Sequence, residues 1–239
     1  MSWLTSGEPF SEQFQDYYFS TDGGLEESEY VFLHQNGFPQ RFKTPAKKHF
    51  SIGETGFGTG LNFLVSIYHF LQHSHVNSTL YYLALEKYPL DKKQLTQIYG
   101  IFNQNWPMLA PLNASILEQY PQDIISAGQT LHFDLLSKRV QLKLLIGDAC
   151  HSLQDYIDAQ QKVDYMDAWY LDGFSPAKNP QMWQLLLFKQ IARLSHQGTT
   201  LSSFTSAGKV RRGLITAGFS MDKAPGLGKK REILRGVKE

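Results

Sequence analysis

FSIGETGFGTGLNFL, residues 50–64, decides the fold, because it joins a predicted strand to a predicted helix through three alternating glycines. The apolar run before the glycines has the length of a buried strand, and the run after them starts a helical pattern. Gly56, Gly58 and Gly60 let the backbone approach a ligand closely, and the helix start offers unpaired N–H groups. The stretch predicts a nucleoside-binding loop at the end of a strand. A tight packing turn without a ligand is the alternative.

Further strands are predicted by apolar, β-rich runs that alternate with helical patterns along the chain. Such alternation is typical of a parallel, doubly wound α/β sheet with helices on both faces. The last two runs are short and joined by PGLGK, which predicts an antiparallel hairpin. The seven predicted strands are HFSIGE (49–54), TLYYLALE (79–86), LKLLIGDA (142–149), AWYLDGF (168–174), TTLSSFTS (199–206), FSMDKA (219–224) and KREILRG (230–236).

Two segments outside the strands complete the predicted organisation. NPQMWQLLLFKQIARL, residues 179–194, predicts one helix that Asn179 caps. Residues 1–45 are aromatic and acidic and do not follow the alternation, so we interpret them as an N-terminal extension packed on the core. The expected domain division is therefore an extension over residues 1–45 and a sheet domain over residues 46–239.

Length and composition favour a soluble protein with one sizeable core. The chain has 239 residues, is 42% hydrophobic and lacks an uninterrupted apolar run of about 18 residues. Its single cysteine, Cys150, excludes an internal disulfide and fits a reducing compartment, so we expect a cytoplasmic protein. We interpret Cys150 as a small buried residue and not as a nucleophile.

The order of residues in the glycine loop selects among nucleotide ligands. The dinucleotide pattern G-x-G-x-x-G fails, because the sixth position counted from Gly56 is Leu61. A phosphate-binding P-loop fails as well, since the loop contains no lysine. Glu54, just before the glycines, would repel a pyrophosphate and favour an amine. These features indicate S-adenosylmethionine, which carries an ammonium group and no phosphate.

Two later strands end in acidic residues that suit the same cofactor. Glu86 is placed to accept both ribose hydroxyls, as the second-strand acid does in dinucleotide folds. Asp148 is placed to accept from the adenine amino group, with Ala149 leaving the adjacent space open. Each acid alone could be an ordinary solvent-facing residue at a strand end. The predicted cofactor-binding set is Glu54, Gly56, Phe57, Gly58, Gly60, Asn62, Glu86, Lys87, Asp148, Ala149 and Asp172.

YLDGFSPAKNP, residues 170–180, is the predicted catalytic segment. Many methyltransferases that act on nitrogen place a short motif with an acid or amide, a proline and an aromatic residue here. We predict that Asp172 accepts a hydrogen bond from the acceptor amine and aims its lone pair, and that Phe174 stacks on a planar substrate. An Asp-Gly turn without catalytic function is the alternative.

A metal site is not predicted. His69, His73 and His75 include one pair at helical spacing, but no acidic or cysteine ligand accompanies them in the sequence.

Several long motifs together resemble one family. GETGFGTGLNFL, YLDGFSPAKNPQMW, FTSAGKVRRGL and GLGKKREILRG, with SEQFQDYYFSTDGGLEESEYVFL near the start, are similar to the methyltransferase part of the bifunctional tRNA 5-methylaminomethyl-2-thiouridine biosynthesis proteins, the MnmC family. The resemblance covers residues 7–236. It implies a Rossmann-like class I S-adenosylmethionine-dependent methyltransferase fold, with a mostly parallel seven-stranded sheet. SHQGTTL, where the family has a Pro-Gly-Gly turn, is a departure outside the site.

The resemblance also implies an activity and partners. The expected reaction is methylation of the 5-aminomethyl group of the wobble uridine in tRNA. It further implies that Phe174 stacks on the uracil, that Lys178 approaches a phosphate, and that a flavin-dependent oxidoreductase domain or protein acts in the same pathway. A nucleotide-dependent oxidoreductase and a non-catalytic adenosine-binding module remain as alternative functions.

Charge is distributed unevenly although the net charge is only +1. Residues 1–40 contain acidic residues and no lysine or arginine, whereas residues 205–239 are strongly basic. A basic patch predicts contacts with tRNA phosphates, and an ordinary solvated surface is the alternative. The predicted tRNA-binding residues are Lys178, Lys209, Arg211, Arg212, Lys229, Lys230 and Arg231, with Arg235 continuing the series.

Overall fold

The computed structural model describes residues 2–3, 9–19, 23–45, 47–123, 125–161, 164–228 and 231–239, with no side-chain description of Ser2. The predicted Lys229 and Lys230 lie outside these residues. Within the described residues, no helix is long and apolar enough to cross a membrane. The strands are β1 (Ser2–Trp3), β2 (Pro9–Ser11), β3 (Asp16–Tyr17), β4 (His49–Glu54), β5 (Thr79–Glu86), β6 (Thr130–Leu135), β7 (Val140–Ile146), β8 (Met166–Leu171), β9 (Ser195–Ser203), β10 (Phe219–Pro225) and β11 (Glu232–Lys238).

Seven α-helices occur in the described residues and connect or flank these strands. Short 3₁₀ and π turns lie between several of them. The helices are α1 (Gly24–Ser28), α2 (Leu61–His73), α3 (Lys92–Asn105), α4 (Ala110–Gln119), α5 (Ala149–Asp158), α6 (Leu185–Arg193) and α7 (Gly208–Thr216).

The central sheet confirms the predicted α/β architecture. Its strand order is β10-β11-β9-β8-β4-β5-β7-β6. Strands β4, β5, β7, β8 and β9 are parallel to their neighbours within this group, and β10 and β11 form the predicted antiparallel hairpin. The chain winds outward from β4 in one direction through β5 and β7, and in the other through β8 and β9. The winding reverses beside β4, and this is where ligands bind in open α/β sheets.

The sheet has eight strands in the described residues, so the predicted number of seven is wrong. The additional strand is β6, which pairs antiparallel with β7 at the sheet edge. Its residues alternate between exposed and buried, which is the pattern of an edge strand covered on one face. The connection to β7 contains three consecutive residues with positive φ, at 53° to 66°, namely Leu136, Ser137 and Lys138.

The single helix predicted for residues 179–194 is also wrong, because the segment is broken in two. Pro180–Trp183 forms a 3₁₀ turn, Gln184 is extended, and α6 starts only at Leu185. Asn179 makes no side-chain capping hydrogen bond. The indole N–H of Trp183 donates instead to the carbonyl oxygen of Phe174 at 3.0 Å. This bond ties the 3₁₀ turn to the loop that follows β8.

The N-terminal residues pack into the same hydrophobic core as the sheet. Phe42 stacks on Phe38 and meets Phe50 of β4 and Phe70 of α2 edge-on. Strands β1, β2 and β3 form a separate small sheet. The division of the chain at residue 45 stays a prediction.

Candidate active site

A cavity of about 580 Å³ opens at the carboxyl edge of the parallel strands. This volume lies within the range of small-molecule sites, on the order of 300 to 1,000 Å³. Its walls come from the glycine loop after β4, from the ends of β5, β7 and β8, and from the N-terminal segment between residues 14 and 32. Predicted site residues that line it are Gly56, Phe57, Gly58, Asn62, Glu86, Lys87, Asp148, Ala149, Asp172 and Phe174.

The glycine loop requires glycine for two different reasons. Gly58 and Gly60 have φ of 54° and 77°, in the left-handed region that favours glycine. At Gly56 a Cβ atom would lie 2.9 Å from the carbonyl oxygen of Asp172, which leaves no room for a side chain. Gly60 does not line the cavity, and its N–H donates to the Phe57 carbonyl oxygen at 2.8 Å. Its predicted contact with the cofactor stays a prediction.

Glu86 holds the glycine loop from the end of β5. Its two carboxylate oxygens accept the backbone N–H groups of Gly58 and Tyr88, each at 2.8 Å. Burial raises the pKa of Glu86, and these backbone hydrogen bonds act in the opposite direction. The carboxylate is thereby fixed at the cavity wall, where it can accept hydrogen bonds from hydroxyl groups of a ligand.

Asp148 lies across the cavity, at the start of α5. It caps this helix by accepting the N–H of Cys150 at 3.2 Å, and it pairs with the Lys87 ammonium at 3.2 Å. Burial would raise the pKa of Asp148, but the hydrogen bond and charge of Lys87 outweigh it and the pKa is lowered. Cys150 itself is buried, as predicted.

Asp172 follows β8 and is held from two sides. Its Oδ1 accepts a hydrogen bond from the backbone N–H of Gly173 at 2.7 Å. Its Oδ2 accepts from Asn62 Nδ2, also at 2.7 Å. The Ser28 hydroxyl donates to Asn62 Oδ1 at 2.6 Å, so the N-terminal segment fixes the orientation of the amide.

Glu54 lies below the cavity floor and does not line it. Its side chain is fully buried, with Oε1 accepting from Asn62 at 2.7 Å and Oε2 accepting from the Tyr82 hydroxyl at 3.0 Å. Burial, followed by the charge of Asp172, raises the pKa of Glu54 well above its usual range. The predicted direct contact of Glu54 with a ligand amine is therefore wrong for this structure. Glu54 acts on the cavity through Asn62, whose amide it shares with Asp172.

Aromatic rings surround the acceptor side of the cavity. Phe174 is stacked on Phe14, with ring centroids 4.4 Å apart and an angle of 21° between the ring planes. Tyr18 meets Phe174 edge-on at 5.5 Å, and Tyr88 lies 5.8 Å from Phe14. One face of Phe174 is thus covered by the chain itself, which the prediction of uracil stacking did not include.

Lys178 is also occupied by the N-terminal segment. Its ammonium pairs with Asp16 at 3.0 Å and donates to the carbonyl oxygen of Gln15. The residue does not line the cavity, and its predicted phosphate contact would require Asp16 to give way.

Sequence reasoning missed the N-terminal contribution to the site. This segment is the roof of the cavity, and its aromatic and acidic composition was the available signal. The missed lining residues include Phe14, Asp16, Tyr17, Tyr18, Glu27 and Ser28.

The cavity is strongly acidic. Lys87 is the only cationic side chain among the described residues that line it, and that lysine is paired with Asp148. Five carboxylates line the same space, from Asp16, Glu27, Glu86, Asp148 and Asp172. Such a field favours cationic ligands and disfavours phosphates. The arrangement fits a ligand with ammonium or sulfonium groups.

The predicted basic residues lie near the same edge of the sheet. Helix α7 begins shortly after β9, and Lys209, Arg211 and Arg212 on this helix are exposed. The Arg211 guanidinium also donates to the carbonyl oxygen of Met221 at 3.2 Å. Arg231, before β11, is exposed as well. Their predicted contact with tRNA stays a prediction.

The histidines of α2 have one acidic neighbour that the sequence did not reveal. His69 contacts Glu29 at 2.7 Å and stacks on His73 at 5.9 Å. Among the described residues, no group of three or more potential ligands is arranged to hold a metal ion.

Comparison with known proteins identifies similar families and structures. Residues 107–239 match the family described as S-adenosyl-L-methionine-dependent methyltransferase. Two similar proteins are the tRNA 5-methylaminomethyl-2-thiouridine biosynthesis bifunctional proteins MnmC of Idiomarina loihiensis and Pseudomonas fluorescens. They are 44% identical over 96% of this chain and 46% identical over 99% of it.

This chain spans only about a third of those relatives, namely 37% and 34% of their lengths. Among solved structures, MNMC2 from Aquifex aeolicus matches with a TM-score of 0.70 and 22% identity. The match covers 98% of this chain and 68% of that one, which shows a shared fold.

Proposed function

Because the chain belongs to the family of S-adenosyl-L-methionine-dependent methyltransferases, we propose that it methylates the amine of a 5-aminomethyl uridine at the wobble position of tRNA. The product is a 5-methylaminomethyl uridine or its 2-thio form. The name of its relatives supports this substrate, as does the similarity over nearly the whole chain. The single observation that carries the proposal is Asp172, a carboxylate fixed by Asn62 and Gly173 at the wall of an acidic, aromatic cavity.

The residues present fit the cofactor of this family. Glu86 would accept the ribose hydroxyls, and Asp148 would accept the adenine amino group. The acidic cavity suits the charged methionyl end. When bound, S-adenosyl-L-methionine supplies an electrophilic methyl group on a sulfonium sulfur.

Asp172 performs the acceptor-side chemistry in this proposal. A primary alkylamine is mostly protonated at neutral pH, and only its neutral form is a nucleophile. Asp172 accepts a hydrogen bond from the amine, takes up its excess proton and aims the lone pair. Proton transfer of this kind contributes about 10²- to 10⁴-fold to the rate. Positioning contributes further, because Asn62 and Gly173 hold the carboxylate in one orientation.

The exposed cations of α7 supply the proposed contacts with tRNA. Lys209, Arg211 and Arg212 neutralise phosphates at the edge that also carries Asp172, and such contacts weaken as salt rises. The wobble base leaves its stack to reach the cavity. Lys229 and Lys230 belong to the same proposed surface by sequence position alone.

An oxidoreductase acts as the proposed partner in the same pathway. The relatives are called bifunctional, which supports a flavin-dependent oxidoreductase domain or protein as the proposed partner of this chain. A cytoplasmic location fits a tRNA substrate.

Transfer of labelled methyl groups tests the proposal. The protein is incubated with methyl-labelled S-adenosyl-L-methionine and tRNA that carries 5-aminomethyl uridine, followed by nucleoside analysis. We expect label in the wobble nucleoside and none in matched tRNA with an unmodified wobble uridine. Cofactor binding without any label in the wobble nucleoside would refute the substrate and leave the family assignment intact.

A nicotinamide oxidoreductase is the alternative that the cavity disfavours. Its cofactor would bring a pyrophosphate among five carboxylates and one paired lysine. Calorimetry with NAD and S-adenosyl-L-methionine separates the two, and we expect heat of binding with the second only.

A further inference from the structure

The segment between Phe14 and Asp16 contacts the loop after β8 through two side chains, and the Gln15 carbonyl oxygen and the Ser175 N–H, 3.5 Å from Asp16, add backbone contacts. The Phe14 ring stacks on Phe174, and the Asp16 carboxylate pairs with Lys178. We propose that Phe174 and Lys178 form a subsite for the base and phosphate of one nucleotide, and that Phe14 and Asp16 occupy it as mimics of these two groups until RNA displaces them. This inference rests on the proposed function, since it concerns how the RNA substrate enters.

The stacked rings exclude a base from the present arrangement. At 4.4 Å between centroids and 21° between planes, Phe14 and Phe174 are in van der Waals contact, with no space for a third ring between them. Both side chains line the cavity. Stacking of a nucleotide base on this face of Phe174 therefore requires Phe14 to leave, and the base would gain the contact that Phe14 loses.

The ion pair between Lys178 and Asp16 can be replaced by a phosphate in the way that the Phe14 ring can be replaced by a base. The side chains of Lys178 and Asp16 are 40% and 24% exposed, so water and other anions can reach the pair. Ion pairs with this exposure are weak, and a phosphate oxygen is an equivalent partner for an ammonium group. Exchange of Asp16 for a phosphate would keep Lys178 paired.

The backbone between the two mimicking side chains is held in an unfavourable conformation. Gln15 has φ of 51°, a left-handed conformation that residues other than glycine adopt at a cost. The segment therefore loses strain when it moves out. RNA must displace the segment between Phe14 and Asp16 before it binds, and this lowers the apparent affinity of the protein for RNA.

Binding of RNA to charge-matched variants tests the inference. The probe is a fluorescent anticodon stem-loop RNA with an unmodified wobble uridine, followed by anisotropy at fixed salt. We expect Asp16→Asn and Phe14→Ala to bind the probe about threefold to tenfold more tightly than the unaltered protein. The matched control is Glu12→Gln, which removes the same charge from an exposed position of the same segment and should change the affinity less than about twofold.

Variants of Lys178 distinguish displacement of Asp16 by RNA from general repulsion between Asp16 and RNA. Lys178→Gln should weaken probe binding, and in the Lys178→Gln background Asp16→Asn should no longer improve it. Thermal unfolding checks the fold of each variant; if Phe14→Ala is unfolded, the comparison of Asp16→Asn with Glu12→Gln decides alone.

Three outcomes overturn the inference. They are equal affinities of Asp16→Asn and Glu12→Gln, a gain that persists without Lys178, and no binding of the probe by any variant. Because the probe lacks the aminomethyl group, its binding does not depend on methyl transfer. Failure of the proposed reaction would leave these readouts unchanged.

Discussion

Strand β8 has a carboxylate near each end, and the two carboxylates are held in different ways. At its start, Asp167 accepts from the Lys47 ammonium, from the Ser51 backbone N–H at 2.8 Å and from His196 Nε2 at 3.3 Å. Directly after its end, Asp172 shares the Asn62 amide with Glu54. The donors that hold Glu54, from Asn62 and Tyr82, are neutral.

The different donors change the electrostatics of Asp167 and Glu54, which are both buried. Burial would raise the pKa of Asp167, but the hydrogen bonds of Lys47, Ser51 and His196, together with the Lys47 charge, lower it. Burial and the charge of Asp172 raise the pKa of Glu54. The comparison shows a carboxylate whose ionised form is favoured by a neighbouring ammonium group at the amino end, and neutral donors around Glu54 at the carboxyl end, where we propose that Asp172 meets a cationic ligand.

The largest effect is expected for Asp172→Asn. The amide keeps the shape of the side chain and loses the negative charge that accepts the amine proton. The rate constant of methyl transfer, measured under single-turnover conditions, should fall at least about 10²-fold. Cofactor affinity, measured by calorimetry, should change less than about threefold. Equal losses in turnover and cofactor affinity would show that Asp172 acts mainly in cofactor binding, the second role predicted for it from the sequence.

Asp167→Asn should have the complementary effect, on stability and not on rate. The amide has one acceptor oxygen, so its NH2 group faces either the Lys47 ammonium or the Ser51 N–H, and the negative charge that pairs with Lys47 is lost, at a cost of about 2 kcal/mol in the free energy of unfolding. Because the folded pKa of Asp167 is below its ordinary value of 3.8, its stabilisation is present above that pH and is lost as pH falls further. Denaturant titrations should therefore show the difference at pH 7 and its decrease below about pH 4. A turnover defect in this variant would contradict the division between the two ends.

The sequence predicted the elements of this comparison better than their contacts. The parallel strands and the positions of Glu86, Asp148 and Asp172 follow from apolar runs that end in acids, and strand direction places those ends at one edge. Burial of Glu54 did not follow, because it depends on Asn62 and Tyr82 closing over the carboxylate. Contacts between segments distant along the chain leave no periodic pattern.

The N-terminal roof and the broken helix were missed for the same physical reason. The bond from Ser28 to Asn62 joins residues 34 positions apart, and the stack of Phe14 on Phe174 joins residues still farther apart. The apolar spacing of residues 179–194 is helical, but the structure interrupts the helix where Trp183 donates a tertiary hydrogen bond to the loop after β8.

Glu86→Gln extends the comparison to the cofactor side of the carboxyl end. The amide cannot accept both N–H groups that now meet the carboxylate, and it loses the charge that binds hydroxyl groups. We expect cofactor affinity to fall about tenfold in calorimetry. Asp148→Asn is the matched control, with a smaller loss, because the Asp148 carboxylate is already paired with Lys87. Unchanged cofactor affinity in Glu86→Gln would remove this residue from the site.

Glu54→Gln should change stability with a pH dependence opposite to that of Asp167→Asn. The folded pKa of Glu54 is above its ordinary value of 4.5, so the folded state holds a proton that the unfolded chain releases. In the unaltered protein, the contribution of Glu54 to the free energy of unfolding is greatest below pH 4.5 and falls as pH rises toward the folded pKa. Glu54→Gln has no titrating group at this position and does not show this fall. It should therefore become more stable relative to the unaltered protein as pH rises above 4.5.

Denaturant titrations of both variants over the same pH range check that prediction. Two curves that run in the same direction would show that the two ends of β8 are not electrostatically different.

The most direct test of the central claim is a binding cycle that compares Asp172 with Asp167. Affinities of two anticodon stem-loops, one with 5-aminomethyl uridine and one with 5-methyl uridine, are measured with S-adenosylhomocysteine present so that no reaction occurs. We predict that the unaltered protein and Asp167→Asn prefer the amine-bearing RNA, and that Asp172→Asn loses the preference, by about tenfold. Retention of the full preference in Asp172→Asn would show that another group binds the amine, and would contradict this account of the carboxyl end of β8.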